Sequence, residues 1–315
     1  MKRLILLAGL LFLLIPSVSS AQWTNEPAGS TPVTECSFPL SSCAGWYDGY
    51  STPYASDATE PQSPPTVADF VLNYVGPCPA NIGTYQACAN GGGQFGYLRN
   101  SQQREMYVGQ WMKLSDGYGC SAVGSSKTFF MRAFDNTFGG PRINGVFFIT
   151  GCGSSKTWVF SHNTGDQPGY PALHNEHACP EDPFNGLICR QNMSSNSFST
   201  GQWVKVEACV RASTTMTSRD AVVRLWVNGV EVMRYTNLNY GQGLMNQYDA
   251  TPTWDGYGNG QGFTTTVHQY YGHVRISLPP NGGCTASLGG GGVVTPPTDT
   301  TPPGQVTSVT VTQLN

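Results

Sequence analysis

The sequence predicts an all-β protein, a sandwich or barrel braced by disulfides. Three observations lead there. Short segments alternate apolar and polar residues with a period of two, as in a strand with one buried face. Turn-forming residues separate them, with 38 Gly and 22 Pro in 315 residues. Apolar repeats of helical period are almost absent, and ten cysteines accompany only 11 % charged residues. Many short strands between turn signals indicate a sandwich or barrel.

Taken in order, the chain opens on an export signal. Lys2 and Arg3 form a positive start, Leu4 to Ile15 an apolar core, and Ser19-Ser20-Ala21 the small residues of a cleavage site. The apolar run is too short for a membrane span, and no later stretch approaches spanning length. Residues 1–21 are thus expected to be a signal peptide, and the protein to be secreted or periplasmic. Residues 22–286 are expected to form one domain. Its first part, 22–99, reads as irregular, with an edge strand or two.

Arg104–Leu114 sets Met106, Val108, Met112 and Leu114 on one face and Glu105, Tyr107, Trp111 and Lys113 on the other. Strands follow at 127–134, 145–150 and 157–162, then a long loop over 163–199. Residues 201–237 read as strand, loop, strand, tight turn, strand. Asn228-Gly229 supplies the turn, because a type I′ hairpin needs φ > 0 at both central positions. A Gly/Asn/Gln-rich loop comes next, and 264–278 closes the domain. Residues 287–303 read as a Gly/Pro/Thr linker. Residues 304–315 alternate like a first strand and look like the incomplete start of a fibronectin type III domain.

A net charge of −3 makes no electrostatic case for nucleic acid or an anionic membrane surface. An even cysteine count in an exported chain reads as disulfides. Spacing leaves the connectivity open. Pairing near neighbours joins Cys36 to Cys43, Cys78 to Cys88 and Cys179 to Cys189, leaving Cys120 with Cys152 and Cys209 with Cys284. No C-x-x-C occurs, and His162, His174, Glu176 and His177 match no common zinc spacing, so no metal site is expected.

Two constellations carry candidate chemistry. In the first, Val204, Val206 and Ala208 share the core face with Val223, Leu225 and Val227, which turns Trp203, Lys205, Glu207, Arg224 and Trp226 the other way. Two tryptophans among charges suit a groove that stacks on sugar rings, with Glu207 paired to Lys205 or Arg224. In the second, His268, Tyr270 and His273 occupy one strand as candidate acid/base groups, against the plainer reading of a Tyr-rich strand filling a sandwich rim. Trp158 and Trp254 are further stacking candidates.

The W-V-K-V-E pattern at 203–207, the R-L-W-V-N-G-V hairpin at 224–230 and the Y-Y-G-H-V-R-I-S strand at 270–277 resemble the concanavalin A-like jelly roll of lectins, laminin G-like domains, glucanases and several polysaccharide lyases. That resemblance implies a sandwich of two antiparallel sheets. The opening Trp23–Gly29, Ser63-Pro64-Pro65 and the strand at 107–115 resemble a group of secreted bacterial proteins. Among enzymes, the chain is distantly similar to polysaccharide lyases of family 14. That resemblance implies β-elimination beside a uronic carboxylate, and Lys127 matches a lysine of that family by position. The family's Ser-x-Arg and Tyr-x-Tyr strands do not appear, nor does the E-x-D-x-x-E strand of the glucanases. Jelly rolls of this kind often carry a structural calcium ion, but no D-x-D-x-D run places one; no other cofactor is expected. The expected partner is a polysaccharide, bound without catalysis. The alternatives are a lyase using Lys127, His268, Tyr270 and His273, and a structural surface or matrix protein.

Overall fold

A computed structural model describes residues 23–49, 51–74, 89–91, 93–118, 121–133, 143–151, 155–163, 188–189, 198–215, 218, 220–238, 245–255 and 265–285. The expected signal peptide, linker and fibronectin-like start lie outside them. Two antiparallel sheets pack face to face, as predicted. Sheet A is built from β1 (Thr31–Cys36), β3 (Tyr54–Ser56), β4 (Thr66–Tyr74), β5 (Ala89–Gly91), β7 (Glu105–Leu114), β13 (Trp203–Arg211), β14 (Ala221–Val227), β15 (Val230–Leu238) and β17 (Val267–Leu278). Sheet B is built from β2 (Trp46–Asp48), β6 (Phe95–Gln103), β8 (Ser121–Ala133), β9 (Ile143–Gly151), β10 (Ser155–Asn163), β11 (Ile188–Cys189), β12 (Phe198–Ser199) and β16 (Met245–Asp255). The one helical element among the described residues is a 3-10 turn, Leu40–Ser42. No described helix is long and apolar enough to cross a membrane.

The order across sheet A is β15-β14-β13-β7-β17-β4-β3, and across sheet B β11-β10-β9-β8-β16-β6-β2. Sheet neighbours such as β13 and β7 therefore pair across long sequence separations, as a sandwich requires. The core between the sheets takes Met106, Val108, Met112 and Leu114 from β7, and Val204, Val206, Ala208 and Val210 from β13. Sheet B contributes Phe95, Phe129, Met131, Phe147, Ile149, Trp158, Phe160 and Tyr248. The Phe129 and Phe147 rings stack at 4.4 Å. Trp158, a candidate for sugar stacking, is fully buried in this core. Its Cα partner is the core residue Ile149, so its place follows from register.

Two parts of the sequence reading are corrected. Residues 22–99, read as mostly irregular, hold six strands, and β4 and β6 are nine residues each. The segment read as a Gly/Asn/Gln-rich loop holds β16, which pairs with both β6 and β8 at the centre of sheet B. Alternation there is broken by register shifts on both sides, which hides the period of two. The Asn228-Gly229 turn is as expected, with φ of 49° and 83° joining paired Val227 and Val230.

Cys36–Cys43 and Cys209–Cys284 are bonded, as near-neighbour pairing suggested. The other proposed pairs lie outside the described residues. Cys209–Cys284 spans 75 residues and ties the chain after β17 to the outer face of β13. Closing so long a loop restricts the unfolded chain, worth roughly 2–4 kcal/mol. Replacing both Cys209 and Cys284 by Ser is expected to lower unfolding stability by about that amount in a guanidinium titration.

Candidate functional site

The outer face of sheet A is where the sequence placed the sugar groove. The parity argument holds: Val204, Val206 and Ala208 are in the core with Val223, Leu225 and Val227. The expected open groove is nevertheless not there. Glu207 is 0 %, Trp226 2 % and Arg224 4 % exposed. Two chain segments lie over them. The first is the N-terminal segment. Asn25 donates its backbone N–H to Glu207 Oε1 at 3.0 Å and its side-chain amide to Oε2 at 2.9 Å. Tyr107 donates its hydroxyl to Glu207 Oε1 at 2.6 Å. The second is the chain after β17, where Cys284 N donates to Glu105 Oε2 at 2.8 Å and Arg224 donates to Cys284 O at 3.5 Å.

Under this cover Trp23, Tyr107, Cys209, Trp226 and Cys284 form a second apolar cluster, with Trp111 packed against it. Gly109 pairs with Glu207 across β7 and β13. A Cβ on Gly109 would come within 2.4 Å of the Trp23 ring, so the missing side chain is the seat of that indole. Of the two partners expected for Glu207, Lys205 approaches to 3.5 Å, while Arg224 pairs with Glu231 at 2.6 Å. Arg224 also lies over the Trp226 ring, 4.6 Å from its centre. Burial and the Glu207 charge push the Tyr107 phenol well above its ordinary range.

The proposed acid/base set is divided. His268 and Tyr270 stand at the half-open end of the outer face of sheet A, their rings stacked at 5.5 Å. His268 Nδ1 lies 2.7 Å from Asp69 Oδ1. His273 is instead 7 % exposed, with Ser37 Oγ 2.9 Å from Nδ1 and Glu35 Oε2 3.6 Å from Nε2. Burial lowers its pKa, against the charges of Glu35 and Glu60. Lys127 lies on sheet B. Its neighbour Ser126 pairs with the core residue Ile149, so Lys127 turns to the outer face of that sheet. The whole thickness of the sandwich separates it from His268 and Tyr270, and one active site made of all four is ruled out.

Sheet B has a polar cluster of its own on the outer face. Asp249 is fully buried there, with Arg132 Nη1 at 3.1 Å from Oδ2 and Gln247 Nε2 at 3.1 Å from Oδ1. Tyr47 donates its hydroxyl to Asp249 and receives the Gln247 amide at 2.7 Å. Tyr47 and Asp249 are both register partners of Gly96, the strand residue between them. A Cβ on Gly96 would lie within 2.7 Å of the Tyr47 hydroxyl and 2.5 Å of Asp249 Oδ1. The bare glycine lets the phenol cross β6. Burial pushes the Asp249 carboxyl well above its ordinary range, while Arg132 and the two hydrogen-bond donors act in the opposite sense. Sequence reasoning missed Asp249 and Gln247 because they lie in β16, and Tyr47 because β2 has only three residues.

No family model and no curated protein matches the chain by sequence. Its fold is similar to solved structures. An endo-β-1,4-glucuronan lyase from the fungus Trichoderma reesei matches over 81 % of this chain and 98 % of its own, at 13 % identity and a TM-score of 0.54. Alginate lyase vAL-1 from Chlorella virus matches over 78 % of this chain and 99 % of its own, at 13 % identity and a TM-score of 0.53. The chain thus has the jelly-roll fold seen in polysaccharide lyases, as the resemblance implied.

Two outcomes follow from these placements. Trp226→Ala is expected to cost about 3 kcal/mol, as for a large buried side chain, read from denaturant unfolding. The Asp69 hydrogen bond raises the His268 pKa above its ordinary value of 6.5, against desolvation. This pair contributes stability fully below about pH 6.5, and the contribution is lost as pH rises through the raised value. In an NMR titration, Asp69→Asn should bring the His268 midpoint back down.

Proposed function

We propose that this is an exported polysaccharide-binding domain that holds its ligand on the outer face of sheet B. One observation carries the reading: Lys127 and Arg132 face the same way on β8. Residues five apart on a regular strand point to opposite faces. A register shift between Lys127 and Phe129 adds a residue and turns both cations outward. They stand on the order of 15 Å apart along the strand, both half-buried; Tyr47 of β2, three strands across, and Gln94, just before β6, are also half-buried. Cations spaced along a strand, with hydroxyl and amide groups farther across the same sheet, suit a chain of carboxylate-bearing sugars.

The fold of the two lyases supports a polysaccharide as ligand. The two disulfides support export, since such bonds persist in oxidising compartments. Sheet A is the weaker host for a polymer, because chain segments cover Glu207, Arg224 and Trp226.

Affinity electrophoresis in gels containing alginate or glucuronan tests this. The native domain is expected to be retarded, and Lys127→Ala to weaken binding at least tenfold with the thermal transition unchanged. A native domain that migrates freely through both gels, or a Lys127→Ala variant retarded like the native one, would sink the reading. Lysine placement also favours a second reading, β-elimination with Lys127 as the proton-transfer group. It predicts growth of unsaturated-uronate absorbance with alginate or glucuronan, lost in Lys127→Ala; a flat trace leaves binding alone.

A further inference from the structure

We infer that the half-open end of sheet A is a second, independent glycan contact, one that stacks on neutral sugar rings through Trp203, Tyr270 and His268. The registers line up a row across four strands. Trp203 pairs with Lys113, Lys113 with Tyr270, and Tyr270 with Asp69. The Lys113 ammonium sits between the two flanking rings, 5.1 Å from the centre of Trp203 and 4.9 Å from that of Tyr270. His268 extends the aromatic surface by stacking on Tyr270, with an interplanar angle of 7°.

All of these side chains are half-buried, and the His268 side chain is 32 % exposed. Two of the three rings are held from the side. Trp203 Nε1 donates to Asp57 Oδ2 at 3.2 Å, and His268 is fixed by Asp69 at 2.7 Å. Rings clamped at their edges lose little freedom when a ligand covers them.

The charges select the ligand class. Lys113 is paired with Asp57, and His268 with Asp69. Burial works against the Asp57 carboxyl, but hydrogen bonds from Lys113 and Thr59 outweigh it and hold the acid ionised. Burial, then the charges of Asp69 and Asp57, push the Tyr270 phenol up to about 12, so it stays neutral and can donate. Both cations of the row are thus already neutralised by a carboxylate, and a uronate polymer would meet those carboxylates in like charge. A neutral sugar instead meets flat rings, with the Tyr270 hydroxyl and the Asp69 carboxylate beside them to bond its hydroxyls. Trp203 and Tyr270 are two strands apart, roughly 10 Å. That span matches alternate rings of an extended β-1,4-linked chain.

Pinning the loop after β3 accounts for Asp57 and Lys113. It does not account for a histidine and a tyrosine stacked at the surface beyond them. This site lies on the opposite side of the sandwich from Lys127, so the two contacts are separable.

The test uses hydroxyethyl-cellulose in affinity gels, with alginate gels run beside them. Native protein is expected to be retarded by hydroxyethyl-cellulose. Trp203→Ala and Tyr270→Ala should each weaken that retardation at least tenfold, and Lys127→Ala should leave it intact. His268→Ala, at a half-exposed ring, replaces Tyr270→Ala if that variant does not fold. Intrinsic fluorescence adds a check that keeps the fold: titration with hydroxyethyl-cellulose should perturb native emission and leave Trp203→Phe emission unchanged. Free migration of the native protein in hydroxyethyl-cellulose overturns the inference. So does retardation that survives in folded Trp203→Ala, or that falls in Lys127→Ala as well.

Discussion

Glu207 puts a carboxylate on a face of sheet A from which water is excluded, and the covering of that face depends on satisfying it. An unpaired buried charge would cost several kcal/mol. Asn25 meets it with a backbone N–H and a side-chain amide, Tyr107 with a hydroxyl, and Lys205 with an ammonium at 3.5 Å. Two of these groups, from Tyr107 and Lys205, come from the neighbouring strand and the same strand. Asn25 alone comes from outside the sheet, and it brings Trp23 down onto Gly109. A single acidic side chain thereby converts an amphipathic sheet into one with apolar clusters on both faces.

The consequence is a sandwich with two unlike outer faces. On sheet A the N-terminal segment and the disulfide-tied segment after β17 close over Trp226 and Arg224, leaving the Trp203–Tyr270–His268 end half-open. On sheet B one extra residue in β8 sends Lys127 to the side of Arg132, and one glycine in β6 lets Tyr47 reach Asp249. On sheet A, Lys113 is paired with Asp57 and His268 with Asp69. On sheet B, Arg132 is paired with the buried Asp249, and Lys127 stands along the same strand.

Much of the fold was legible in the residues themselves. Period-two alternation located β7, β13, β14 and β17, and the Asn228-Gly229 pair marked its hairpin. Parity correctly sorted Val204, Val206 and Ala208 from Lys205 and Glu207. Where register slips, as at both edges of β16, alternation vanishes and so did the strand from view, taking Asp249 and Gln247 with it. Parity also set Trp203, Arg224 and Trp226 away from the core, whereas Trp158, another stacking candidate, lies within it. Which face each occupied, and whether that face was open, did not follow from them.

That division has a physical cause. A strand's own sequence determines which of its side chains share a side, because the backbone pleat alternates them regardless of context. Alternation, turn chemistry and cysteine parity are local properties, so this chain's sequence alone determined an all-β sandwich or barrel with Trp203 and Trp226 on the side away from the core. Burial is decided by what arrives from elsewhere. Trp23 and Asn25 stand about 180 residues from Glu207, which they cover, and Cys284 stands 75 from Cys209. Only the tertiary structure could decide that Trp226 is core while Trp203 is surface, and that Lys127 and His268 look out from opposite sides of one molecule.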